Sequence, residues 1–307
     1  MHKLTTSLIV AATLLAPALA QPAKAASPFV GRWNFNLTTP GGTRAAWLGI
    51  NEKDGQLVVW FQPTGGNVYE LKDFKVEGTH LTIKFDNLLT WQLDAAGDKL
   101  TGLQKRGMSR LVLTGLRAPE LKRAAPKAWT KPEPLFNGRD LDGWEPIGMV
   151  SNSHWTVQDG LLVNTNHGAN LKTKRTFDDL KVHFEVNCPD HGNSGFYLRG
   201  RYEIQIEYEP LSDNPPERRI GSIYGRITPV PELPRTPGQW ETFDATLVGR
   251  MLTVVRNGVT IIDNKEIEGI TGGALDANED QPGPFYIQGD HTGGLKFRNI
   301  TVSLPQR

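Results

Sequence analysis

The stretch GRYEIQIEYEP, Gly200 to Pro210, decides how the chain is read. A β-strand sends alternate side chains to opposite faces, so Tyr202, Ile204, Ile206 and Tyr208 share one face and Glu203, Gln205, Glu207 and Glu209 the other. The apolar set is a core face. The polar set is either wetted, as one side of an antiparallel sheet commonly is, or it lines a binding site on a curved sheet. We take the second reading.

Outward from that strand, residues 134 to 307 read as further strands with almost no helical period. The runs are HWTVQDGLLVNT (154–165), LKVHFEVNC (180–188), SGFYLRG (194–200), WETFDATLVGRMLTVVRNGVTIIDN (240–264), GPFYIQGD (283–290) and GLKFRNITVSL (294–304). Asn257-Gly258 supplies the positive φ angles of a tight type I′ hairpin. So many strands without helices predict a two-sheet jelly-roll sandwich. Ahead of it, Pro119, Pro126, Pro132 and Pro134 lie among alanines and charges, which marks residues 119–133 as a linker or a draped strap. Residues 26–118 hold another series of short strands, from GRWNFNL (31–37) to SRLVLTG (109–115), punctuated by Asp-Gly, Gly-Gly and Gly-Asp turns. That pattern predicts a small antiparallel β-barrel or sandwich, a lipocalin-like meander. Trp33, Trp47, Trp60 and Trp91 would fill its core or mark a cavity.

The chain has 307 residues, a net charge of +1 and 22% charged residues, so no charge excess points to nucleic acid or an acidic polymer. MHKLTTSLIVAATLLAPALA, residues 1–20, has the Lys, apolar run and small-residue end of a secretory signal peptide, with cleavage expected after Ala20 or Ala25 and a periplasmic or secreted product. No other long apolar run predicts a membrane span. Cys188, the single cysteine, reads as a packed small hydrophobe. No HExxH, EF-hand, P-loop or GxGxxG spacing is present, so no cofactor is expected. Calcium is the one ion with plausible ligands, in the loop carboxylates Asp276, Glu279 and Asp280.

Seven segments in order carry a resemblance: LFNGRDLDGWEP (135–146), WTVQDGLLV (155–163), FDDLKVHFEV (177–186), GNSGFYLRGRYEIQI (192–206), GSIYGRITP (221–229), PGQWETFDATLVGRMLTVVRNGVTIID (237–263) and GPFYIQGDHTGGLKFRNITV (283–302). Together they resemble the 3-keto-disaccharide hydrolase family. The resemblance covers the second unit and not the first. It implies a concanavalin A-like jelly roll and the cleavage of glycosides whose sugar is oxidised at C3. The family usually has Asp where Glu207 stands, and Gln-Asp-His-Gly where this chain has Gln288-Gly289-Asp290-His291-Thr292-Gly293.

Such chemistry needs a base for the acidified C2 hydrogen, a donor for the enolate and an acid for the leaving oxygen. Glu203, Glu207 and His291 are the candidate catalytic residues, and Asn193, Arg199, Gln205, Tyr224 and Asp290 the candidate sugar-binding ones. Glu203 and Glu207 would lie about 13 Å apart on a regular strand, so they would not act on one atom. Each residue has a plainer reading. Arg199 and Arg201 could pair with Glu203 or Glu209 on an exposed hairpin. Asn193-Ser194-Gly195 could be a turn, Tyr224 and Trp240 could pack beneath the sheet, and His183 could be structural. Two other functions stay open: a non-catalytic lectin, and an ordinary glycosidase with two carboxylates across the scissile bond.

Overall fold

The computed structural model describes residues 27–39 and 42–306. The expected leader lies outside the described residues. Those residues form strands, turns and three short 3-10 turns, with no α-helix.

The first sheet has nine antiparallel strands. It runs from Tyr69–Leu71 through Gln56–Gln62, Gly42–Lys53, Gly31–Thr39, Ser109–Arg117, Lys99–Arg106, Leu89–Ala96 and His80–Lys84 to Phe74–Glu77. The two end strands are consecutive in the chain, so the sheet curls until its edges almost meet. Trp33, Phe35, Leu48, Val59, Ile83, Trp91 and Leu113 fill the interior. Trp33 and Trp91 therefore serve as core, each donating its indole N–H inside the sheet, to the Phe29 carbonyl at 2.8 Å and Gln104 at 2.9 Å. Trp60 lies near the surface. Trp47 belongs to neither group. It turns outward and packs with Ala45 against Ile270, Ala274 and Ala277 of the second unit.

That second unit is the expected jelly-roll sandwich. An eight-stranded sheet includes Leu180–Asn187, Trp240–Val248, Met251–Arg256, Val259–Glu266 and Lys296–Ser303. The facing five-stranded sheet runs Trp144–Pro146, Leu171–Thr173, Tyr286–Ile287, Asn193–Leu198 and, at one edge, Tyr202–Glu207. Their inner faces interlock: Phe184 stacks on Phe196 across the gap with centroids 4.1 Å apart, and on Phe243 beside it. Asn257 and Gly258 have the positive φ angles, 50° and 78°, of the expected hairpin. Cys188 is buried in this core, where burial raises its thiol pKa. His183 bonds Asp244 at 2.8 Å on the outer face of the larger sheet, and Trp240 lies under the Arg298 guanidinium at 4.0 Å on that same sheet.

The proline-rich segment is a strap. Arg123 pairs with Asp178 at 2.6 Å and Asp179 at 2.8 Å, Thr130 donates its N–H to the Leu304 carbonyl, and Glu133–Pro134 adds a short strand beside Lys296–Ser303. The two units are also bound directly. Asn34 donates to the Ala277 carbonyl at 2.9 Å and to Glu279 at 2.8 Å, Asn36 to Asn278 at 2.7 Å, and Arg32 to Glu266 at 2.6 Å. Arg226 lies over the Trp47 ring at 4.3 Å and donates to the Ile270 carbonyl. Fixed in this way, the first sheet stands next to the outer face of the five-stranded sheet.

Candidate active site

Tyr202, Ile204, Ile206 and Tyr208 point into the sandwich core, as the alternation requires. The opposite face is not wet. Glu203, Gln205 and Glu207 are 3%, 3% and 0% exposed, because loops of both units cover them. This burial divides the two candidate glutamates. The Glu207 carboxylate accepts the N–H of Glu209 at 2.8 Å and of Ile220 at 3.0 Å, and Arg235 lies 3.4 Å away. It secures the loop after its own strand and lies outside the pocket described below, so the geometry gives the position a structural use and no access to a substrate.

Arg199 is likewise no pocket residue. Its φ of 53° places it in the turn of the hairpin, where its buried guanidinium meets Asp178 at 3.0 Å, the Tyr202 hydroxyl and the Glu279 carbonyl. Arg201 pairs with Asp276 at 2.7 Å. Neither touches Glu203 or Glu209, and neither is on an exposed surface. The expected calcium ligands are divided among these partners. Asp276 is held by Arg201, Glu279 is buried against Arg250 at 2.6 Å, and Asp280 bonds the Gln281 amide. Among the described residues no three metal-ligating side chains converge.

Six of the eight candidates do converge. A cavity of about 220 Å³ is lined by Asn193, Glu203, Gln205, Tyr224, Asp290 and His291, together with Tyr197, Gln288, Gly272 and Gly273 from the sandwich and Arg44 and Thr64–Gly66 from the first sheet. The volume lies below the roughly 300–1,000 Å³ of drug-sized pockets. A larger hollow of about 400 Å³ beside Phe177 holds Asp178 and Asp179, both already paired with arginine. It has no carboxylate free to act.

Glu203 is the chemical centre of the smaller cavity. Gly195 lies opposite Gln205 on the neighbouring strand, and any Cβ there would collide with the Glu203 carboxylate. A missing side chain thus lets the carboxyl lie across the sheet. Four carboxylates are buried among the described residues. Glu241 has Arg256, Glu279 has Arg250 and Glu207 has Arg235, whereas Glu203 has no cation within ion-pair distance among the described residues. Burial without a counter-charge favours the neutral acid, and the Glu203 pKa is pushed up to about 8.

The hydrogen bonds agree with a neutral Glu203. The Tyr197 hydroxyl is 2.7 Å from Glu203 Oε2 and 2.7 Å from the Gly272 carbonyl, and it accepts the Gln288 Nε2–H at 3.0 Å. It has one hydrogen and two lone pairs. If it donates to the carbonyl, which can only accept, then the Glu203 side chain must supply the proton between them. A protonated Glu203 satisfies every partner, and an ionised one leaves two acceptors competing for one hydrogen. Tyr197 is stacked on Tyr286 at 3.8 Å, whose hydroxyl donates to the Gly273 carbonyl at 2.7 Å.

On the loop after the central strand, His291 Nδ1 meets Asp290 Oδ1 at 2.9 Å, which leaves Nε2 unengaged. The contact with Asp290 raises the His291 pKa above 6.5, and the imidazole returns the effect by lowering that of Asp290 against the pull of burial. Asn170 accepts the N–H groups of Gly289 and Asp290, and Thr292 accepts that of Asn193, so the loop is tied to the sheet. Asn193 opens the strand Asn193–Leu198 and donates to Glu209 at 2.8 Å. The side-chain carbonyls of Gln205 and Gln288 are buried with no hydrogen-bond partner among the described residues. Such groups are costly unless something binds them, and hydroxyl-rich ligands would. Sequence reading missed Tyr197, Gln288, Gly272–Gly273 and Arg44. The alternation of GFYLRG does place Tyr197 on the polar face, a signal that was available. Gln288 stands two residues before Asp290 in the motif compared above, a second signal, whereas for Gly272–Gly273 and Arg44 nothing in the sequence marks proximity.

Residues 131–303 match the 3-keto-alpha-glucoside-1,2-lyase-like domain. A solved structure from Parabacteroides distasonis, provisionally described as a glycosyl hydrolase, is 27% identical, covers 59% of this chain and 92% of its own, and has a TM-score of 0.48. A second of that description from the same organism is 18% identical, covering 57% and 92%, with a TM-score of 0.47. A carbohydrate-binding module of Bacillus subtilis is 11% identical, covering 54% and 98%, with a TM-score of 0.34. No curated protein matches the chain.

Proposed function

The chain belongs to the 3-keto-alpha-glucoside-1,2-lyase-like domain family, a carbohydrate-active one, and on that premise we propose that it cleaves 3-keto-glycosides by elimination followed by hydration. The observation that carries this reading is the buried carboxyl of Glu203, alone among its kind in lacking a cation, facing a polar pocket beside an oriented histidine. A titratable group whose pKa burial perturbs strongly, facing a cleft, is a usual sign of a functional site.

His291 Nε2 takes the hydrogen from C2, which the C3 carbonyl has acidified, while Asp290 holds Nδ1–H and steadies the imidazolium. The electron pair passes to the C3 oxygen as an enolate, where the Gln205 amide is the available donor. Collapse of the enolate forms the C1–C2 double bond and breaks the bond from C1 to the leaving oxygen, which receives the proton of Glu203 while the Tyr197 hydroxyl turns its own hydrogen from the Gly272 carbonyl to the new carboxylate. Tyr197 keeps that carboxyl in place. Water then adds to C1, giving a proton to Glu203, and His291 returns its proton to C2. Both groups end as they began, and the sum is hydrolysis. The free amide carbonyls of Gln205 and Gln288 accept sugar hydroxyls, and Tyr224 and Asn193 border the ring. We assign no step to Glu207 or Arg199. Export through the leader belongs to the same proposal, and mass spectrometry of the mature protein, expected to begin after Ala20 or Ala25, tests it.

The activity test is incubation of one glucoside and its 3-keto form in heavy water. Cleavage of the keto form alone, with deuterium at C2 of the released sugar beyond its slow exchange without protein, is the expected result. Cleavage of both forms without label would point instead to direct hydrolysis between Glu203 and Asp290, and binding without cleavage to a lectin.

A further inference from the structure

The cavity is built by both units, yet only residues 131–303 match the family domain. Its other wall, Arg44 with Thr64–Gly66, comes from the first sheet. This wall is fixed in place: Gly273 donates its N–H to the Thr64 carbonyl at 3.2 Å, and Gly272 lies so close to the Gly66 backbone that a Cβ there would collide with it. Arg44 is followed directly by Ala45, which is buried with Trp47 in the contact between the units. The strand that presents Arg44 therefore cannot shift without breaking that contact.

We propose that Arg44 makes the pocket selective for 3-keto-glycosides that carry a carboxylate, or another oxyanion of similar shape, on the leaving group. The guanidinium is exposed to the cavity and makes no ion pair or hydrogen bond among the described residues. The remaining titratable groups of the lining have partners within the sandwich, Asp290 in His291 and the neutral Glu203 in Tyr197. Arg44 is the one charge at this site with nothing to meet it, and its planar fork matches a carboxylate in two-point contact. Its place on the wall contributed by the first sheet, while the acid and base both come from the sandwich, suits it to the part of the substrate that departs rather than to the reacting ring. The proposal rests on the pocket being the sugar site.

The test compares the 3-keto-glucosides of 4-hydroxybenzoate and 4-hydroxybenzamide, which differ in charge and little in shape. The kcat/KM ratio of the two is measured for the parent, Arg44→Gln, Arg44→Lys and Arg44→Glu. Differences in leaving-group chemistry cancel when one protein's ratio is divided by another's. The benzoate preference should fall about tenfold in Arg44→Gln, the order of a charge-assisted hydrogen bond, survive in part in Arg44→Lys, reverse in Arg44→Glu, and shrink with added salt in the parent. Equal ratios in parent and Arg44→Gln would overturn the proposal. If the parent cleaves neither compound, the reading of the reaction fails by itself. The same comparison is then made by calorimetric titration with the unoxidised glucosides. A benzoate preference that depends on Arg44 upholds the selectivity, and no preference or no binding overturns it.

Discussion

Glu203 and Glu207 stand four residues apart on one face of one strand, and their fates differ because of what the fold brings to each. Glu207 receives two backbone N–H groups and Arg235, whereas Glu203 receives a tyrosine hydroxyl and no charge. The sequence shows the shared face but cannot show the partners, which come from residues 209–235 in one case and from Tyr197 in the other. A proton held by burial has two consequences that can be measured together. The folded protein keeps the Glu203 proton up to about pH 8, whereas the unfolded chain loses it near 4.5. Over that window the folded state binds the extra proton, so raising the pH removes stability, at about 1.4 kcal/mol per unit. Glu203→Gln carries no such penalty, so its melting temperature relative to the parent should rise between pH 5 and pH 8. An unchanged difference across that range would show Glu203 to be ionised in the fold. The same substitution removes the acid and should lower kcat on a 3-keto-glucoside by about 10² or more. In the parent, His291 serves as base only above its raised pKa and Glu203 as acid only below about 8. The rate should trace a narrow bell, and the alkaline fall should vanish from the residual activity of Glu203→Gln.

At the scale of elements, the period-two alternation of YEIQIEY, the Asn257-Gly258 hairpin and the strand series on both sides of the strap are all found where the sequence puts them. Local chemistry writes these features, because alternation fixes faces and Asn-Gly fixes a turn. The meeting of Gly65–Gly66 with Gly272–Gly273 is written nowhere locally, since the pairs read as ordinary turns some two hundred positions apart in the chain. Their contact matters because the Gly272 and Gly273 carbonyls accept from Tyr197 and Tyr286. A larger residue at position 272 must push against the Gly66 backbone and shift the carbonyl that holds Tyr197. Gly272→Val is therefore expected to keep its far-ultraviolet circular dichroism and lose at least tenfold in kcat, since displacements near 1 Å at a site can cost more than that. Parental kinetics in the variant would remove the loop from any part in positioning.

For the whole molecule, the two separate cores predict that the sandwich keeps its fold without the first sheet. A fragment of residues 119–307 retains the strap and its three anchors, and should show cooperative melting by circular dichroism. It would also bare Ile270, Ala274 and Ala277 and lose Arg44 and Thr64–Gly66, so catalysis should fall even as the fold persists. An unfolded fragment would mean that the two units form one cooperative body. The sequence marks the boundary through its prolines, but a strap held by Arg123 and Thr130 is anchored more firmly than a free linker.

The strap also imposes an order in time. A chain leaves the ribosome from its N-terminus, and the part that emerges first folds first. The first sheet has all nine strands once residue 117 is out, yet Arg226 and the apolar groups at residues 270–277 that receive Trp47 come later, and the last strand, Lys296–Ser303, closes the sandwich and grips the strap. Whether it emerges from the ribosome or from an export channel, the protein carries a finished barrel with an uncovered tryptophan and half a pocket until those residues follow. Activity should arrive in one step, with the strand Lys296–Ser303.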